Sequence, residues 1–446
     1  MASNTLVSPA PAPGRPTERG VALLIVLVVL FIVAVLMVDI TLTATTARRS
    51  ARNASEAFLM DAALEGRLQI GLALLQYDAQ SNDIDGGDDL WADSKHTDVE
   101  GKAPEEAAAE TEGAGDGSEE PAPSSADVQV TMKIEDEERR FNLLLLLKTD
   151  SLTGEMQKEA RERFVVLLDR YREDTPLDIS RTRAEDLADK VIEYVNRAAP
   201  GASETGKFPL AKTGNFRLIT PDELKYVEGF EDASHGLTSE GLLYEARDPR
   251  AVKEHMADPE ASDEPESYPG LIKYVTLWSV GVGTDKEDPT KWPADGWDRA
   301  RKINVNTAEK PVLETLFWRN PSEMTFAEKI IEYRDTVKEG ADTSGSAAGG
   351  SRNDKHQLFE KMEELKKVDG LEQKVIDSNK LNDYLVLQSR VFSIDLHASK
   401  ETASKQVRYV VFRHEKGFQT ILREERADPQ FLKDAQNPES DLPPEK

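Results

Sequence analysis

Cysteine is absent from the chain. Disulfide staples, thiolate metal sites and cysteine nucleophiles are therefore excluded. The compartment stays open, because an exported protein need not carry disulfides. Histidine is scarce, with 6 in 446 residues. His235, His255, His356, His397 and His414 are scattered among polar stretches, a pattern that predicts solvated side chains rather than acid–base catalysis. No G-x-S-x-G, Walker loop, H-E-x-x-H or dinucleotide fingerprint occurs, and Gly281-Val282-Gly283 lacks a third glycine and a following helix. An enzyme is not expected. Positive charge is also short: 56 Lys and Arg against 83 Asp and Glu give a formal net charge of -27. Such a body repels phosphate backbones and anionic lipid surfaces, so no nucleic-acid partner is expected.

What the chain does have is length and one long apolar run. At 446 residues, two or three folded units are expected. Residues 21–38 read VALLIVLVVLFIVAVLMV, 18 apolar residues with no charge and no glycine. That length spans a bilayer as a helix. It is too long for the core of a secretory signal peptide, and no A-x-A-like site follows. Arg15 and Arg19 precede it and favour a cytoplasmic N-terminus, although Arg48 and Arg49 follow. Beyond it, apolar residues recur at Ala54, Phe58, Ala62, Leu64, Leu68, Leu72 and Leu75, mostly three or four apart. The spacing predicts one helix over residues 21–77, about 85 Å long at 1.5 Å per residue. Its first half would sit in lipid and its second would bury one stripe on a folded domain.

The next segments change character. Residues 82–89, NDIDGGDD, lack the full ligand spacing and terminal Glu of a calcium loop, which predicts a solvated turn. Residues 99–127 are rich in Ala, Glu, Gly, Pro and Ser and predict a disordered acidic loop. Val128, Val130, Met132 and Ile134 then alternate with polar residues, as a half-buried strand does. Residues 135–140 read as a charged turn. The same alternation returns at Phe392, Ile394 and Leu396, at Val407, Tyr409 and Val411, and over residues 418–422, with turns expected at 397–405 and 414–417. Strand sequence thus flanks a helical middle. The simplest topology is one antiparallel sheet interrupted by a helical insertion.

Within the middle, Thr220-Pro221-Asp222-Glu223 reads as a capping box opening a helix that Gly229 closes. Ile303-Asn304-Val305-Asn306 reads as an extended entry to a helix capped by Asn306, with Glu309 three residues on. Residues 326–333 and the stretch after Gly370 read as further helices, and residues 340–350 as a flexible loop. Residues 224–230 and 358–370 share a helix ending with an h-x-G-h pattern, as in a helix–hairpin–helix unit.

Arg19-Gly20-Val21-Ala22-Leu23 resembles the leader of type IV pilins and pseudopilins, in which a prepilin peptidase cuts after the Gly. Only a residue without a side chain lets the backbone enter a tight protease site there. Two fuller resemblances compete. INVNTAEKPVLETLF, FAEKIIEYRD and FEKMEELKKVDGL resemble the helix–hairpin–helix repeat of competence DNA receptors. Residues 317–325 carry no glycine, however, so that family's first phosphate-binding turn cannot form. The second covers nearly the whole chain and resembles the K-type minor pseudopilin of type II secretion. It is carried by the leader, by Leu90-Trp91-Ala92, by Ile134 to Glu137 with Phe141-Asn142-Leu143, and by ITPDELKYVEGF. Tyr274-Val275-Thr276, INVNTAEKPVL, Phe392-Ser393-Ile394, Val410 to Arg413 and Ile421-Leu422 follow in order. Ile25 is distinctive, because ordinary pseudopilins carry Glu at this fifth mature position and the K-type lacks it.

This resemblance implies an α+β, pilin-like fold: a long N-terminal helix packed on an antiparallel sheet, with a large helical insertion of helix–hairpin–helix or SAM-like kind. It divides the chain into a prepilin leader (1–20), a transmembrane and amphipathic helix (21–77), a first part of the sheet (78–150) and a helical insertion (151–387). The C-terminal strands (388–426) and a polar tail (427–446) complete it. It implies cleavage between Gly20 and Val21, and a tip position marked by Ile25. The I-type and J-type minor pseudopilins, other pseudopilins and the prepilin peptidase are the implied partners. A single pass through the bacterial inner membrane would leave the body in the periplasm. Members bind calcium in the inserted domain. Their W-I-D-x-D segment stands here as Glu193-Tyr194-Val195-Asn196-Arg197, without those acids. Calcium is therefore implied by resemblance alone, with no ligands named.

Overall fold

The computed structural model describes residues 18–92, 128–147, 154–196, 220–230, 241–257, 266–278, 298–338, 355–400, 403–414 and 417–426. The chain divides into two units, residues 1–62 with 112–125 and residues 63–111 with 126–446. The predicted loops at 99–127 and 340–350, the tail at 427–446 and Gly281–Gly283 lie outside the described residues.

Helix α1, Glu18–Ser81, begins before Val21 and runs past Tyr77. In the first unit, every described side chain from Leu23 to Val38 is exposed. This is the one helix among the described residues long and apolar enough to cross a membrane, and none of its apolar window is buried. Just beyond the apolar run, Thr41 donates to the Met37 carbonyl at 2.7 Å and Thr46 to the Leu42 carbonyl at 2.8 Å. These hydroxyls are satisfied inside the helix.

In the second unit α1 has one buried stripe, Leu64, Leu68, Gly71 and Leu75; the predicted stripe is corrected at Leu72, which is half-buried, and at Ala54, Phe58 and Ala62, which are exposed. It lies on a four-stranded antiparallel sheet: β1 (Gln129–Asp136), β2 (Val391–Lys400), β3 (Ala403–His414) and β4 (Gly417–Arg426), in that spatial order. Met132 pairs with Leu396 and Ile134 with Ile394, so these four share the face that meets α1. Gly71 sits at the closest approach: a Cβ there would lie 2.9 Å from Met132 Sδ and 3.4 Å from Ile134 Cδ1. The opposite face carries Val391, Val410 and Phe412, covered by Trp278, Ile421 and Leu422. The strands around residues 397–405 run to Lys400 and resume at Ala403, so most of that predicted turn is strand.

The insertion joins β1 to β2. Helices α2 (Gly154–Arg170) and α3 (Arg181–Asn196) pair within its core through Phe164, Leu167, Leu168, Leu187 and Val191. Shorter helices follow at Pro249–Ala257, Lys310–Glu314, Thr325–Asp335, Gln373–Ser378 and Leu381–Tyr384. Two short parallel pairs, Phe141–Asn142 with Val275–Thr276 and Ile303–Asn304 with Leu385–Val386, stitch it together. Arg172 is buried without a carboxylate; it donates to the Pro269, Gly241 and Tyr244 carbonyls at 2.8–3.0 Å.

Several local expectations are corrected. The two h-x-G-h segments end 3-10 turns, Pro221–Tyr226 and Met362–Lys367, rather than full helices. Gly229 and Gly370 do take positive φ, +95° and +75°, which glycine adopts at least cost. Asn306 does not cap a helix. Its side-chain amide bonds both backbone groups of Phe359, and the helix starts later, with Glu309 as N-cap.

Gly71→Leu should cost about 2 kcal/mol by forcing α1 off the sheet. Gly66, whose Cβ position is open, should gain about 0.5–1 kcal/mol as Ala. Urea unfolding in detergent reads both; equal shifts would place Gly71 away from the helix–sheet contact.

Candidate functional site

The predicted processing residues lie on α1. Gly20 and Val21 fall inside its helical span, although their side chains are outside the described residues. Ile25 is 56% exposed within the apolar run.

The chemistry of the second unit concentrates where the chain leaves β1 and re-enters β2. Residues 135–140 were expected to be a charged turn. Instead Asp136, Glu137, Glu138 and Arg140 are buried. Asp136 accepts from Glu138 N at 2.8 Å, Asn304 Nδ2 at 3.0 Å, Thr307 Oγ1 at 2.6 Å and Ser389 Oγ at 2.6 Å. Glu137 accepts from Thr276 Oγ1 at 2.7 Å and Arg408 at 2.6 Å, and it pairs with Arg140. Glu138 takes a two-pronged contact from Arg299 at 2.9 and 2.6 Å and the Arg390 N–H at 3.1 Å. Each acid thus has partners on the insertion or on the returning strands.

These surroundings set the acidities. Burial opposes ionisation of Glu135, but Arg140 and Arg139 overcome it and hold the carboxyl at about 2. Glu137 behaves alike: Arg140 and Arg408 outweigh its burial and keep it well below the usual carboxylate range. Asp136 moves the other way. Burial, then the neighbouring Glu138, push it up to about 7 against the donors Ser389 and Thr307.

Beside this neck lies residues 82–89, expected to be a solvated turn. Ile84, Asp85, Gly86, Asp88 and Asp89 are buried instead. A Cβ on Gly86 would lie 2.2 Å from Leu358 Cδ1, so the loop is pressed against the insertion. Asp85 Oδ2 accepts from Ser389 N at 2.6 Å and Arg413 at 2.5 Å. Asp88 accepts from the His356 backbone at 2.6 Å and meets its Nδ1 at 2.5 Å. His356 is therefore tied to a buried carboxylate rather than simply solvated.

Asp78, in the last turns of α1, joins Asp85 and Asp89. One carboxylate oxygen of each lies within 4.8 Å of the others, and all three residues are buried. Such a set can coordinate a divalent cation. The crowding also weakens two of these acids: burial and Asp89 push the pKa of Asp78 up to about 6, and burial, against Arg413, pushes that of Asp85 up to about 7. Sequence reasoning missed Asp78. The available signal is its place on the stripe Leu64, Leu68, Gly71, Leu75, Asp78, which predicts a buried acid. Among the described residues of the 193–197 segment, Val195 is buried and the Asn196 amide is spent on the Leu146 and Ile192 carbonyls at 3.0 and 2.7 Å.

Glu137→Gln should destabilise the protein by about 3 kcal/mol, because Arg140 and Arg408 would lose the buried carboxylate they share and keep only Glu135 and Asp395 between them. The pH response follows from opposing shifts. Glu135 and Glu137 have folded values below the unfolded 4.5, so their contribution is full above 4.5 and is lost as pH falls toward 2. Asp136 has a folded value above 3.8, so its contribution grows as pH falls from about 7 to 3.8. Stability should peak at about pH 5, and Asp136→Asn should flatten the neutral side. Unfolding midpoints that rise monotonically to pH 8 in both proteins would contradict these assignments.

No protein-family model matches the chain, and no curated protein is significantly similar to it. Among solved structures, it is similar to a chain of the GspK-GspI-GspJ complex from the type 2 secretion system of enterotoxigenic Escherichia coli. The two share 14% identity over 85% of this chain and 99% of that chain, with a TM-score of 0.46. At that score and identity the likeness assigns neither function nor partners.

Proposed function

We propose that the chain is a non-enzymatic minor pseudopilin that initiates and caps the type II secretion pseudopilus and so supports protein export across the outer membrane. The observation that carries this is the division of α1: an exposed apolar half, then a half whose one stripe is buried on an antiparallel sheet. A bilayer and a neighbouring helix bundle are the two surroundings that suit such an exposed apolar half. The anchor would cross the bacterial inner membrane once and leave the acidic body in the periplasm. The leader and the ordered sequence blocks described above support the K-type assignment.

Cleavage after Gly20 would free the Val21 amine as an ammonium. A buried unpaired charge is costly, so an ammonium inside an apolar helix bundle seeks a carboxylate. In this reading the fifth-position Glu of the subunit below supplies it. Ile25 offers no carboxylate to a subunit above, so the chain suits the topmost place. The insertion, carried between β1 and β2, is too bulky for the fibre's interior. The I-type and J-type minor pseudopilins and other pseudopilins are the proposed partners, and the prepilin peptidase the proposed processing enzyme. Residues 193–197 lack the acids through which the family resemblance would place calcium in the insertion. The rival reading is a membrane-anchored helix–hairpin–helix DNA receptor. The net charge of -27 and the glycine-free stretch at 317–325 speak against it.

N-terminal sequencing of the membrane-embedded protein should begin at Val21, and Gly20→Leu should abolish processing. Label on the body should appear at one end of sheared pseudopili. Retention of Met1, or label spaced along the shaft, contradicts the proposal, and micromolar binding of duplex DNA would favour the rival.

A further inference from the structure

Past its apolar run, α1 gathers positive charge. Residues 40–55, ITLTATTARRSARNAS, hold three arginines and no acid, in a chain of formal net charge -27. Arg48 and Arg52, four residues apart, lie about 40° apart around the helix, and Arg49 stands about 100° from Arg48. All three are exposed. Arg52 also holds Glu56, one turn on, at 2.8 Å. Asp39 precedes Arg48 by nine residues, which sets it on the opposite face and about 13 Å away along the axis. These cations stand at the end of the run opposite Arg15 and Arg19, so they oppose the orientation that the first pair favours. A role other than setting orientation is called for.

Depth along the helix is a second observation, independent of the charge count. Arg48 follows Val21 by 27 residues within one helix, about 40 Å at 1.5 Å per residue. A hydrocarbon core of about 30 Å and one headgroup layer together occupy roughly 35–37 Å. A helix that enters the core at Val21 and tilts by about 20° therefore brings Arg48 and Arg49 level with the far headgroups. Side chains on a helix lean toward its N-terminus, which here is toward the bilayer. The intervening residues suit the interface. Residues 40–47 are uncharged, and Ile40 and Leu42 are exposed. Thr41, Thr45 and Thr46 close their hydroxyls on the Met37 and Leu42 carbonyls at 2.7–2.9 Å. A hydroxyl already satisfied within its own helix loses little on leaving water.

We propose that Arg48, Arg49 and Arg52 form a cationic collar that binds the headgroup phosphates of anionic phospholipids in the leaflet from which α1 emerges. A guanidinium presents a planar fork of donors that matches phosphate oxygens. A surface of anionic lipid attracts such cations strongly only within a Debye length, about 10 Å. Glu56 and Asp61, the first acids beyond the collar, stand farther along α1 from the apolar run than all three arginines. The approach to the headgroups is therefore purely cationic, although the chain as a whole repels such a surface. The collar would fix the depth of the helix and hold Val21 at the opposite edge of the hydrocarbon. The inference rests on the single membrane pass of the proposed function and is independent of the K-type assignment.

The test reconstitutes the full chain into phosphatidylcholine vesicles, with and without phosphatidylglycerol, and checks insertion by resistance to carbonate extraction. Spin-labelled phosphatidylglycerol should be enriched at the protein boundary about fivefold over spin-labelled phosphatidylcholine at low salt, and the ratio should fall as salt rises. The double variant Arg48→Gln, Arg49→Gln should bring the ratio close to one while carbonate resistance and the thermal midpoint stay unchanged. Arg183→Gln, exposed on α3, should leave the ratio as it is. Free glycerol phosphate should not compete with the labelled lipid. An inserted chain without enrichment, enrichment that survives the double variant, or displacement by free glycerol phosphate would overturn the collar alone. A chain that carbonate strips from both kinds of vesicle would overturn the membrane pass, and the collar with it.

Discussion

Three consecutive acidic side chains, Asp136, Glu137 and Glu138, are buried where the polypeptide leaves its sheet. The rest of the second unit is organised around keeping them solvated by protein. A buried carboxylate stripped of partners costs several kcal/mol. Asp136 draws on Asn304 and Thr307 of the insertion and on Ser389 at its exit. Glu137 draws on Thr276 of the insertion and Arg408 of β3. Glu138 draws on Arg299 and the Arg390 backbone. The sheet and the insertion therefore satisfy the same acids, and neither completes the set alone. Buried ionic networks of this kind add little net stability over an apolar core, but breaking one partner is expensive. The arrangement favours one fixed placement of the insertion on the sheet over a loosely tethered one.

The same logic extends to α1. Its exposed apolar half needs no internal partners. Its sheet-bound half places Leu64, Leu68 and Leu75 on apolar strand positions, with Gly71 at the crossing. The stripe then ends in an acid, Asp78, which meets Arg413 of β3. Hydrophobic packing thus gives way to an ionic contact at the point where the helix stops, and the loop after it is pinned through Asp85 and Gly86.

Much of this was legible in the sequence because it depends on short periods. Alternation at Met132 and Ile134, and at Ile394 and Leu396, marks strands whose pairing the structure bears out. Three-and-four spacing marks the buried stripe of α1. What was not legible is burial of charge. Glu138 finds Arg299 and Glu137 finds Arg408 only after the chain has travelled through the insertion and back, 161 and 271 residues away. A local window sees only a polar turn. Residues 82–89 are polar in the same way, and the groups that accompany Asp85 and Asp88 into the interior, Ser389, Arg413 and His356, all lie far along the chain. Asn306 misled because its amide serves a distant backbone, that of Phe359, rather than the nearby helix end.

The spatial order of the strands matches their order in the chain, so β1 and β2 would form an ordinary hairpin were the insertion removed. Asp136 nevertheless pairs with Phe392. Strands β2, β3 and β4 can zip together through local turns, whereas β1 closes on β2 only after a very long loop has been ordered. Loop-closure entropy makes such pairings slow. The C-terminal meander is thus the natural early nucleus, and β1, with the helix packed on it, the late arrival. The last step of folding then joins β1, and the helix packed on it, to a body that has already formed, so the segment made first is the one fixed last.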